Sequence, residues 1–125
     1  MHRFLALLIG ISVLAASPGA FAAPGKDKGT KRLLVVSYTA GFHHSVISTS
    51  EKVLTKMAAD SGFFSVDFCR TKEDVKKMMT LSSLQGYDGV FFSNTTGNLG
   101  IPNLYSFLYW IKSGHAFIGV HAATD

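Results

Sequence analysis

From residue 33 onward, short apolar runs alternate with stretches of helical periodicity. That alternation restricts the fold more than any other feature of the chain. The runs are Leu33–Ser37, Ser65–Arg70, Gly89–Ser93 and Ala116–Val120. The first, third and fourth are apolar almost throughout, as strands covered on both faces are. The second alternates, with Val66, Phe68 and Arg70 set against Ser65, Asp67 and Cys69. Alternation predicts a half-exposed strand at a sheet edge.

The intervening segments carry helix signals. Ser48 and Glu51 match a capping box that opens a helix over residues 49–60, with Val53, Leu54, Met57 and Ala58 as its apolar face and Gly62 as its stop. Thr71 and Asp74 mark a second start, with Val75, Met78 and Met79 packed inward. Pro102 suits the first turn of a later helix. There Leu104, Phe107, Leu108 and Ile111 keep an i, i+3, i+4, i+7 spacing, and Tyr105 and Trp110 pack beside that stripe. Gly114 ends it. Strand–helix repetition requires parallel strands joined by right-handed crossovers. The class is therefore α/β, an open parallel sheet with flanking helices. With strand two at an edge and one, three and four central, the order is 2-1-3-4. This puts a topological switch between strands one and three, where a ligand crevice forms outside the carboxyl ends.

The first residues follow a different logic. Arg3 is a positive start, residues 4–16 are almost unbroken apolar sequence, and Ser17-Pro18-Gly19 breaks any helix. Ala20-Phe21-Ala22 then presents small residues where a signal peptidase reads them. Residues 1–22 are expected to be a cleaved signal, giving a periplasmic or secreted protein with no membrane contact after cleavage. The apolar run is short of the roughly 20 residues a spanning helix needs. Residues 23–32 read as a linker. Lys26, Lys28, Lys31 and Arg32 lie there or at its end, broken by Gly25, Asp27 and Gly29, and make a solvated segment rather than a nucleic-acid arm. The formal charge of +4 is otherwise dispersed, so no nucleic-acid partner is expected. Cys69 is the only cysteine, which excludes an internal disulfide and predicts a partly buried free thiol.

Three polar loops follow strand ends on one edge: Gly41-Phe42-His43-His44-Ser45, Asn94-Thr95-Thr96-Gly97, and His121-Ala122-Ala123-Thr124-Asp125. Histidine serves near neutral pH as acid, base or metal ligand. Threonine hydroxyls and glycine-bared amides suit sugar hydroxyls or an oxyanion. His121 directly follows an apolar strand in a small-residue segment, the placement of a nucleophile elbow. It is the first choice for acid/base work, with His44 as second contact and Asp125 able to orient an imidazole. Gly41, Phe42, Ser45, Asn94, Thr95, Thr96, Gly97 and Thr124 are the expected ligand contacts. Neighbouring His43 should point away, and His115, at the other end of the sheet, should be a surface residue. His44, His121 and Asp125 number enough for an open metal site, but the histidines show no ligand spacing on one element, so neither metal nor cofactor is expected.

At these residues the chain resembles the trehalose-utilisation, ThuA-like family. The matching segments are Leu34-Val35-Val36-Ser37-Tyr38-Thr39-Ala40-Gly41-Phe42, His44-Ser45, Ser50-Glu51-Lys52-Val53-Leu54, Tyr87-Asp88, Asn94-Thr95-Thr96-Gly97 and Gly119-Val120-His121-Ala122-Ala123-Thr124-Asp125. The family has Arg at the place of His43 and Ser at the place of Val46, so no role is carried over to His43. The resemblance implies a flavodoxin-like, class I glutamine-amidotransferase-like fold with His121 at the elbow that holds Cys in amidotransferases. Thiolate amidotransfer is then not expected. It also implies a link to sugar metabolism beside oxidoreductases acting on disaccharides, hence a small-molecule carbohydrate ligand and a sugar oxidoreductase partner, with a homo-oligomer as a further option. Family members continue past the Thr-Asp pair. Residues 33–125 are accordingly expected to be the N-terminal part of such a domain, truncated after its fourth strand. That strand asks for cover on both faces and no helix follows to supply it, so the chain is expected to be poorly stable alone, with an apolar strand bare at the sheet edge. Two functions stay open: a sugar-handling enzyme, or a non-catalytic carbohydrate-binding or assembly module of the same fold.

Overall fold

The computed structural model describes residues 29–123. Residues 1–28, which hold the expected signal and most of the linker, lie outside the described residues, as do Thr124 and Asp125. The elements are β1 (Lys31–Val36), α1 (Ile47–Ser61), β2 (Phe64–Cys69), α2 (Lys72–Met78), α3 (Leu81–Leu84), β3 (Gly89–Ser93), α4 (Leu104–Lys112) and β4 (Ala116–Val120). All strand pairs are parallel and the order is β2-β1-β3-β4, as the alternation of runs requires. Among the described residues no helix is long and apolar enough to cross a membrane.

Period-two alternation divides the sheet's side chains between two layers. Leu34, Val36, Val90 and Phe92 share one face and join Val75, Met79, Leu84, Phe107 and Trp110 in a single buried cluster. Right-handed crossovers place α2, α3 and α4 over that face and α1 over the other, where Val35, Ile47 and Leu54 are buried. Cys69 lies in the cluster. Burial pushes its thiol up to about 12, with the charge of Asp74 adding to the effect, so it is an inert, neutral packing group.

Several local expectations change. The start of α1 is not Ser48: the helix opens at Ile47 behind Val46, with no side-chain cap. Glu51 is drawn instead to Ser37 and Arg70. The Thr71–Asp74 box does form, with both reciprocal bonds present. A short α3 behind Thr80 went unread, because four residues cannot show a period. Val53 and Met57 are exposed, since α1 covers only part of its sheet face. Pro102 precedes the helix: Asn103 caps α4, its Oδ1 accepting the Ser106 N–H at 2.9 Å.

The face of α4 is also rotated. Trp110, the largest fully buried side chain, takes the core position, stacked on Phe107 at 6.3 Å and on His115 at 4.1 Å. Burying the indole removes more apolar area than burying Leu104 or Leu108, which are left exposed along with Tyr105. His115 is thereby half-buried rather than a surface residue, its Nδ1 2.8 Å from the Trp110 carbonyl oxygen. Leu104 and Leu108 line an open apolar groove of about 620 Å³ with Phe92, Phe117 and Ala123. β4 is apolar as a central strand is, yet it stands at the edge and lacks its cover, as the end of the sequence after it predicts. It is exposed along its whole length, with Phe117 at 40%, Ile118 at 38% and Val120 at 39%. Among the described residues it pairs with β3 alone and forms an edge of the sheet.

Candidate functional site

The carboxyl ends of β1, β3 and β4 lie side by side, so the loops after them meet over the switch point. The first two loops are joined by short polar bonds. The Thr96 carbonyl accepts the Ala40 and Gly41 N–H groups at 3.0 and 3.1 Å. The Thr96 hydroxyl donates to the Phe42 carbonyl at 2.8 Å and lies 2.6 Å from the Thr39 hydroxyl. Thr39 accepts the Thr96 N–H at 3.2 Å. The backbones touch: a Cβ on Gly41 would stand 2.9 Å from Thr96 Oγ1, and one on Gly97 3.0 Å from the Gly41 nitrogen. Gly97 also has φ +72°, a left-handed conformation that disfavours a side chain. Of the expected ligand contacts, then, Thr96, Gly41 and Gly97 are engaged in holding the two loops together, and Thr96 is buried.

His44 emerges from this junction half-buried, while His43 is exposed. The His44 ring meets the Phe42 ring at 4.8 Å and the His121 ring at 4.7 Å, both edge-to-face. The structure thus brings together the two histidines singled out from separate loops, 77 residues apart by their numbers His44 and His121. His121 is exposed and has φ +57°. A non-glycine residue is rarely held there, and such strain collects at functional positions. Asn94, the corresponding residue after β3, shares this backbone with φ +54°. It is buried, its Nδ2 donates to Ser93 Oγ at 3.3 Å, and its N–H reaches the Val120 carbonyl at 3.3 Å. Thr95 is buried beside it, whereas Phe42, Ser45 and Gly97 face solvent. Thr124 and Asp125 fall outside the described residues, so the expected carboxylate partner has no position here. Among the described residues no group of three or more His, Cys, Asp or Glu side chains is placed to hold a metal ion.

Sequence reasoning missed the polar bonds beneath the loops. Glu51 accepts from Ser37 Oγ at 2.5 Å and from Arg70 Nε and Nη2 at 2.9–3.1 Å. Burial pushes the Glu51 carboxyl up, but the bonds from Arg70 and Ser37 and the Arg70 charge together outweigh it and hold it below the ordinary carboxylate range. Ser93 Oγ donates to Ser50 Oγ at 2.9 Å. A signal was available: the residue directly after every strand is polar, namely Ser37, Arg70, Asn94 and His121.

No curated protein and no solved structure matches the chain. The family model ThuA, described as trehalose utilisation, matches residues 32–125. The match takes in all four strands from Arg32 onward and all three loops, and on that ground the chain belongs to the ThuA trehalose-utilisation family.

Proposed function

We propose that this is an exported carbohydrate-handling domain, with His121 as acid/base group and His44 as its polar neighbour. The observation that carries the reading is the 4.7 Å contact between two imidazoles from separate loops, one of them on a left-handed backbone at a strand end. Paired imidazoles at a rim can exchange protons with sugar hydroxyls near neutral pH. Phe42, exposed beside His44, offers an aromatic face to the apolar side of a pyranose, and Ser45 and the Gly97 amide add polar contacts. Membership of a trehalose-utilisation family supports a disaccharide as ligand, and a sugar oxidoreductase is the partner suited to such chemistry. Cleavage after Ala22 would release the chain outside the cytoplasm; N-terminal sequencing of exported material should begin at Ala23, and retention of residues 4–16 would refute export.

Calorimetric titration with trehalose and related glucosides tests the site. Binding should be lost in His121→Ala and kept in His43→Ala, whose side chain is exposed. Equal loss in both, at unchanged stability, removes the reason for choosing His121. Binding without turnover of any glycoside would select the non-catalytic carbohydrate-binding alternative.

A further inference from the structure

Helix α1 opens three residues after His44, and the His44 carbonyl accepts the Ile47 N–H at 3.2 Å. The first residue of the helix is therefore bonded to His44, yet the helix has no side-chain cap to fix its start. Two successive residues, Ser50 at the end of the first turn and Glu51 at the start of the next, supply the missing restraint, reaching to strands on either side of β1. Glu51 bonds Ser37 after β1 and the Arg70 fork after β2. Ser50 accepts from Ser93, the wholly buried last residue of β3. Ser93 also accepts from Asn94, whose N–H holds the Val120 carbonyl one residue before His121. A continuous set of bonds thus runs from the helix start that is bonded to His44 to the strand end that precedes His121.

We propose that Ser50 and Glu51 are positioning residues for the His44–His121 pair. The proposal rests on the reading of that pair as the ligand site. A largely buried carboxylate costs stability unless its geometry is well matched, and here the match to Ser37 and the Arg70 fork also fixes the orientation of the helix start. Ring placement within about 0.5 Å is what a preorganised site demands, and a free helix start would not give it.

Proton NMR of the histidine rings tests this in the full chain with no sugar present. The edge-to-face contact gives a ring-to-ring Overhauser effect and a ring-current shift in the wild type. Glu51→Gln and Ser50→Ala should each lose both signals, while Ser50→Thr, which keeps the hydroxyl, should retain them. Asp88→Asn controls for lost stability alone, because at the far end of the sheet it removes the Lys31 ion pair and leaves one acceptor oxygen where Lys31 and the Arg32 N–H now use two. It should leave the ring contact intact. Should Glu51→Gln fail to fold, Ser50→Ala decides the matter. Persistence of the ring contact in Ser50→Ala, or its equal loss in Asp88→Asn, overturns the proposal. Failure of the ligand reading is separate: it would show as a wild-type chain with the ring contact present and no sugar bound.

Discussion

Strands β1 and β4 are similarly apolar, Leu33-Leu34-Val35-Val36 against Ala116-Phe117-Ile118-Gly119-Val120, yet they end in opposite environments. Leu34, Val35 and Val36 are wholly buried, with strands on both sides and helices on both faces. No residue of β4 is buried. The difference lies in neighbours rather than in composition. It extends to the loops: those after β1 and β3 are bonded to each other through Thr39, Gly41 and Thr96, with Gly97 in close approach to Gly41, whereas His121 sits exposed on the open margin. A rigid junction and a more open histidine meet at one point, which suits a site that holds one group fixed and presents another.

Stability measurements sharpen that comparison. Leu34→Ala should cost about 2–5 kcal/mol, as fully buried large-to-small changes do. Ile118→Ala on β4 should cost about 1 kcal/mol or less, because much of that side chain is already in water. Chemical denaturation of the two variants checks this; equal costs would mean that β4 is covered in solution. Next in size, Gly97→Ala should cost roughly 1–3 kcal/mol from its positive φ and its close approach to Gly41. Its amide exchange should rise in residues 39–42 and 94–97 and not in β2. Uniform protection would break the claim that the two loops form one junction.

The smallest effect concerns Glu51. Its folded pKa is lowered, so its contribution is complete above its ordinary, unfolded value and disappears as pH falls through the lowered folded value. The wild type should therefore lose stability on the acid side by on the order of 1 kcal/mol through this group, a figure kept small because Arg70 is more than half exposed. Glu51→Gln should flatten that limb of the stability–pH curve. An unchanged limb would show that the fork to Arg70 contributes nothing measurable.

Strand existence, order and parallel sense were legible because four apolar runs between helix signals leave few topologies. Periodicity reports which faces a residue offers and not whether anything lies over them; that Ile118 and Val120 lack cover is legible only from the absence of a helix signal after β4. The apparent capping box at Ser48 failed because Glu51 finds a cation and a hydroxyl from two other strand ends, and such partners have no sequence neighbourhood. The α4 stripe failed because spacing alone does not weigh Trp110 against Leu108. The loops that meet were legible from strand ends, but the division of labour within them was not. Thr96 reads as a ligand contact until its hydroxyl is seen on Phe42 and Thr39.

The central claim is that sugar is handled where His44 meets His121, rather than in the apolar groove or at the far end of the sheet. Titrating trehalose or a related glucoside into the protein while following the four described histidines by NMR tests it directly. The rings of His44 and His121 should shift together with a shared saturation curve, and those of His43 and His115 should stay still. Binding that moves His115 and leaves His44 and His121 unchanged would contradict the account.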